Sequence, residues 1–106
     1  MANYYNLSGA CQGAVARPTL PGDFTAAHDS DSQITLTWTT VGTPDLIQIE
    51  RSETDSDYVN IATLGGNIVT YVDTGLTANT QYYYRYRQID RLKWSDYEKS
   101  NDTTDA

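Results

Sequence analysis

The run Thr80-Gln81-Tyr82-Tyr83-Tyr84-Arg85-Tyr86-Arg87-Gln88-Ile89 constrains this chain more than any other stretch. Aromatic residues favour a pleated, half-buried backbone, so the run predicts one long strand over residues 80–89. Successive side chains of a strand point to opposite faces. Tyr82, Tyr84 and Tyr86 therefore share one face, and Tyr83, Arg85 and Arg87 share the other. The first face suits a core. The second carries two guanidiniums and suits water. Nine Tyr stand against one Phe and one Met, a balance that points to an all-β chain rather than a helical one.

The rest of the chain supplies partners for the inner face. Residues 33–39 alternate without a break, with Ile34, Leu36 and Trp38 inward and Thr35, Thr37 and Thr39 outward. Shorter strands are predicted over residues 23–27, 46–51, 58–64, 68–72 and 95–104; Ile47 and Ile49 share a face in the second of these. Turn residues separate them: Asp29-Ser30-Asp31-Ser32, Gly42-Thr43-Pro44-Asp45, the acidic loop 52–57, Gly65-Gly66-Asn67 and Asp73-Thr74-Gly75. A charged loop is expected over residues 90–93. About seven strands at spacings of roughly 8–12 residues predict a β-sandwich.

A length of 106 residues fits one domain. Residues 1–20 are of different material. They are small and polar, with Tyr4, Tyr5 and Leu7 as the large apolar groups, and they show neither strand alternation nor a helical stripe. We read them as an extended N-terminal arm ahead of a domain over residues 21–106. Arg17 is their one basic residue and follows the weak apolar stretch, which is not the order of a secretory signal. Ser8-Gly9-Ala10-Cys11 lacks the large aliphatic residue and apolar run of a lipoprotein box. The arm has no periodicity with which to build its own core, whereas a partner would let Tyr4, Tyr5 and Leu7 act as anchors.

Several pieces together resemble a fibronectin type III domain over roughly residues 21–104. Pro21 stands at the opening, and Trp38 closes an alternating second strand. Ile47 and Ile49 lead to Glu50-Arg51-Ser52. Then come Tyr71-Val72-Asp73-Thr74-Gly75-Leu76, the Tyr-rich run, and Ser95-Asp96-Tyr97. The resemblance implies a seven-stranded, immunoglobulin-like β-sandwich. Trp38 would plug its core, and Leu76 and Tyr82 would form a tyrosine corner whose hydroxyl bonds nearby backbone. Gln88 stands where the family usually has a small apolar residue, so the inward alternation is expected to end early. The family's adhesive Arg-Gly-Asp is absent; Asp90-Arg91-Leu92-Lys93 fills that loop.

Elimination narrows the function. The formal net charge of −7 disfavours nucleic-acid binding and anionic membrane surfaces. No apolar run approaches the ~20 residues that span a bilayer. Cys11 is the single Cys and His28 the single His, too few for a zinc site and a weak basis for a nucleophile–base pair. Asp29 and Asp31, and Glu53, Asp55 and Asp57, are oxygen-rich loops without an EF-hand pattern. No catalytic residue, cofactor or metal ligand is assigned. Tyr83 and Trp94, with Tyr97, are candidates for a surface that stacks on sugars; the simpler reading packs Tyr83 on Arg85 or a cross-strand neighbour and sets Trp94 at the sandwich end. The expectation is a non-enzymatic structural or attachment protein, a capsid or tail decoration of a bacteriophage virion, bound to other virion proteins through its arm. The rival is a carbohydrate-binding or adhesive module of a bacterial extracellular protein.

Overall fold

The computed structural model describes residues 20–90 and 93–106. The arm, with Tyr4, Tyr5, Leu7 and Cys11, lies outside the described residues apart from Leu20. Eight strands follow in order: β1 (Thr25–His28), β2 (Ile34–Thr37), β3 (Leu46–Ser52), β4 (Val59–Gly65), β5 (Thr70–Asp73), β6 (Gln81–Asp90), β7 (Lys93–Trp94) and β8 (Glu98–Thr103). One sheet has the order β1-β2-β5. The other runs β4-β3-β6, and both β7 and β8 pair with the far side of β6. Every pairing is antiparallel.

The two alternations meet as the sequence predicts. Ile34, Leu36 and Trp38 face Tyr82, Tyr84 and Tyr86 across the sandwich, all six buried, with Ile47, Ile49, Phe24 and Leu76 filling the space around them. Trp38 is 4% exposed. Its ring lies 5.5 Å from that of Tyr86 and 6.2 Å from that of Phe24, and its indole N–H donates to the Ile68 carbonyl at 3.1 Å. The tyrosine corner is also present: the Thr77 N–H donates to the Tyr82 hydroxyl at 2.9 Å, beside buried Leu76.

Four expectations need correction. The first strand starts at Thr25 rather than Asp23. The Asp23 carboxylate instead accepts the Thr39 N–H at 3.2 Å, together with the Thr39 hydroxyl. The last strand starts at Glu98 rather than Ser95, and the stretch expected as a charged loop over 90–93 is partly strand, since β6 runs to Asp90 and β7 covers Lys93–Trp94, which raises the count from seven to eight. Ser95 stands between β7 and β8; its N–H donates to the Gln88 carbonyl at 2.9 Å while its hydroxyl oxygen accepts the Gln88 N–H at 2.9 Å. Nor does the inward alternation stop at Gln88, which is 0% exposed. Its amide nitrogen donates to the Val41 carbonyl at 2.7 Å and its amide oxygen accepts the Val41 N–H at 3.1 Å. A side-chain amide here pairs with backbone as a neighbouring strand would, so a polar group is buried without losing hydrogen bonds.

The Gly65–Ile68 turn carries the chain from the larger sheet to the smaller, closed by the Ile68 N–H on the Gly65 carbonyl at 3.0 Å. Gly66 is required there. A Cβ at this position would stand 1.7 Å from the Pro44 carbonyl oxygen.

Candidate interaction surface

The outward face of the larger sheet holds the densest grouping of chemically distinctive side chains. Register sets Arg85 of β6 between Glu50 of β3 and Lys99 of β8, and sets Arg87 beside Gln48. Aromatic rings from three other segments fill the gaps. The Arg85 guanidinium lies 4.4 Å from the Tyr58 ring and 3.9 Å from the Tyr97 ring. Arg87 lies 4.7 Å from the Tyr97 ring and 3.7 Å from the Trp94 ring. The result is one continuous stack, Tyr58–Arg85–Tyr97–Arg87–Trp94, held by attraction between cations and ring faces.

Hydrogen bonds fix the stack in register. Glu50 accepts from Nε of Arg85 at 2.6 Å, and the Arg85 Nη2 lies 2.6 Å from the same oxygen. The other Glu50 oxygen accepts the Tyr97 hydroxyl at 3.1 Å. Arg87 donates through Nε to Gln48 at 3.1 Å. Tyr58 donates to Asp55, which also pairs with Lys99 at 3.3 Å. Burial, then the bond to Glu50, pushes the Tyr97 phenol above its ordinary value. The bonds from Tyr58 and Lys99 hold the Asp55 carboxyl below its own.

Of the residues expected at a surface site, Tyr83 and Trp94 both lie on this face but form no common platform. Tyr83 is opposite Ser52 and Asn101, whereas Trp94 is opposite Ile89. Their places along β6 differ by six residues, roughly 20 Å at the usual rise of a strand. Trp94 closes the stack over Arg87 rather than the sandwich end. The alternation showed that Arg85 and Arg87 face outward; it held no signal that Tyr97 inserts between them. Tyr4, Tyr5 and Leu7 lie outside the described residues.

Other groups with chemical potential are committed to structure. Asp73, its side chain 6% exposed, accepts the Tyr84 hydroxyl at 2.8 Å, and Arg51 Nη1 reaches its two oxygens at 3.0 and 2.9 Å. Burial, reinforced by Asp73, raises the Tyr84 phenol well above its normal value. Burial alone would lower the Arg51 guanidinium, but Asp73 outweighs it and raises it. His28 sits at the end of β1 with Nδ1 2.8 Å from Asp102 and Nε2 3.2 Å from Asp105. The open groove beside the 52–57 loop, about 360 Å³, is lined by hydroxyls turned onto their own backbone: Ser52 Oγ accepts the N–H of Thr54 at 3.0 Å and of Ser56 at 3.3 Å. Among the described residues, no group of three or more His, Cys, Asp or Glu side chains is placed to hold a metal ion.

Comparison with solved structures decides the architecture. The chain superposes on the crystal structure of FN3tt with a TM-score of 0.73 at 26% identity, over 85% of this chain and 97% of that one. A Fn3-like protein from Clostridium thermocellum gives 0.71 at 25% identity over 81% and 92% of the two chains. The fn3 domain of the human collagen alpha-1(XX) chain gives 0.75 at 15% identity, over 92% and 93%.

The fold is that of a fibronectin type III domain.

No protein-family model and no curated protein matches the sequence. Fibronectin type III domains are generally non-catalytic modules, and the fibronectin type III-like fold of this chain fits a structural or adhesive domain. Its charge is unevenly spread: Arg85, Arg87, Arg91, Lys93 and Lys99 make up five of the seven basic residues, in a chain of net charge −7.

Proposed function

We propose that this fibronectin type III-like domain is a non-enzymatic attachment module, joined to a larger protein assembly by residues 1–20 with Tyr4, Tyr5 and Leu7 as anchors. The assembly we favour is a bacteriophage virion, at its capsid or tail. The observation that carries the reading is the firm seating of the base of the arm. Leu20 packs against the core, the Gly22 N–H donates to Glu98 at 2.5 Å, and Phe24 is buried between Trp38 and Tyr86. A load on the preceding residues is therefore delivered to the centre of the sandwich. Burying Tyr4, Tyr5 and Leu7 on a partner contributes about 1.5–3 kcal/mol each, set against the cost of ordering the chain.

The outward stack supports the same reading, since Tyr, Trp and Arg held in fixed rotamers are the residue types that dominate protein interfaces. The virion setting rests on the use of fibronectin-like and immunoglobulin-like modules as capsid and tail decorations. Sugar binding through Tyr83 and Trp94 has less support, because a guanidinium already covers one face of Trp94.

The test is incorporation into particles. Virions are assembled with either the full chain or a 21–106 truncation, and the protein in purified particles is quantified by mass spectrometry. Retention of the full chain with loss of the truncation supports the proposal. Equal retention moves attachment to the sandwich itself. Absence of both from particles, with glycan binding that Tyr83→Ala and Trp94→Ala each abolish, replaces it with the rival function.

A further inference from the structure

Among the described residues, the larger sheet ends on an unguarded edge. β4 pairs with β3 alone, and its residues Val59-Asn60-Ile61-Ala62-Thr63-Leu64-Gly65 include no charge and no proline. Natural edge strands are usually blunted by a Lys, a Pro, a covering segment or a very short length. The protection here is one bulge at Ile61, which leaves the four residues Ala62–Gly65 in unbroken register with β3. Val59 is 64% exposed, the highest value among the exposed large apolar side chains of the described residues.

We propose that β4 is a self-association edge, whose occupant is β4 of a second copy paired antiparallel across a two-fold axis. Charge permits a second copy at this place. The chain carries a net charge of −7, so two copies repel wherever carboxylates would meet. β4 is a seven-residue stretch with none. A two-fold centred on Ala62 sets Val59 opposite Gly65 and Ile61 opposite Thr63, and brings Asp57 opposite Asn67; no like-charged pair forms. An antiparallel pair about such an axis is self-complementary, so both copies satisfy their open backbone groups in one step. The five-stranded sheets then join edge to edge. The arms need take no part, so this association and the attachment proposed above stand or fall separately.

Sedimentation equilibrium of the full chain across a concentration series tests the idea. The native chain is expected to show a monomer–dimer equilibrium. Asn60→Lys/Thr63→Lys and Asn60→Glu/Thr63→Glu, at exposed positions, should each associate at least tenfold more weakly while keeping the native circular dichroism and melting temperature. Mixing the two variants should restore dimers. Amide exchange of residues 59–65 should slow as native protein concentration rises, while that of residues 25–28 stays constant. A native chain that is monomeric throughout, or a dimer unaffected in both charge variants, overturns the proposal. So does slowing of exchange confined to other segments.

Discussion

The two long sides of this sandwich are held shut by opposite means. On the β1/β8 side the closure lies at the rim. Alternate residues of β8 point side chains at the backbone of β1 and the segment before it: Glu98 takes the N–H of Gly22 at 2.5 Å, Ser100 that of Ala26 at 3.1 Å, and Asp102 that of His28 at 2.7 Å. The edge of β1 is thus satisfied without a strand beside it. On the β4/β5 side no such ladder exists among the described residues, and the closure lies inside. There Arg51 of β3 and Tyr84 of β6 converge on Asp73 of β5. One side spends its polar contacts on concealing an edge. The other spends them on joining the sheets from within, and leaves its edge free to pair.

The contrast breaks most visibly at the inner clamp. Asp73→Ala leaves the buried Tyr84 hydroxyl and the one-third-exposed Arg51 guanidinium without their partner, and should cost about 2–3 kcal/mol in urea unfolding. A loss below about 1 kcal/mol would mean that core packing, not the clamp, joins the sheets there. The rim should respond less. Asp102→Ala removes acceptors from the backbone and ring of His28, and should cost about 1–2 kcal/mol. Amide exchange at Ala26 and His28 should quicken while that of β4 stays as it was; a uniform change would deny the rim its local role.

Proton linkage at the rim gives a smaller effect. The hydrogen bond to Asp102, then the charges of Asp102, Asp105 and Asp29, raise the His28 pKa above 6.5. That contribution is complete below 6.5 and is lost as pH rises through the folded value. Burial raises the Asp102 carboxyl, but the bonds from His28 and Thr103 outweigh this and hold it below 3.8, so its contribution is lost as pH falls through that lower value. Stability should therefore decline from about pH 6.5 upward, and His28→Gln should flatten that limb of the profile. An unchanged slope in the variant would place the pH response elsewhere. The smallest expected effect belongs to the free edge: Thr63→Lys should alter the unfolding free energy of the monomer by no more than about 0.5 kcal/mol. A larger loss would show that the β4 rim bears on the fold itself.

Period-two patterning made the six facing core residues legible, because burial on one face leaves a trace at every second position. Tyr82 and Leu76 were legible as a corner only through the resemblance to fibronectin type III domains. What escaped the sequence depends on partners distant along the chain. Gln88 looked like the end of the alternation because nothing local announces that Val41, 47 residues away, will pair with its amide. Asp73 read as a turn residue, since Arg51 and Tyr84 approach it only once two sheets pack. The outward face was legible in its composition and only partly in its order: Tyr83, Trp94 and Tyr97 were grouped together, and Tyr97 does share a stack with Trp94, but the third ring of that stack is Tyr58 rather than Tyr83.

The placement of the ends of the described sandwich has a mechanical consequence. The chain enters beside Phe24, Trp38 and Tyr86, while β8 leaves at Thr103, opposite Gln81. These are opposite poles. Tension between Leu20 and the C-terminal residues would run parallel to the strands, loading the ladder between β1 and β8 in shear, with its bonds strained together rather than peeled one after another. A module tethered at one pole and pulled at the other would resist as a lap joint does, and would yield only when several contacts fail at once.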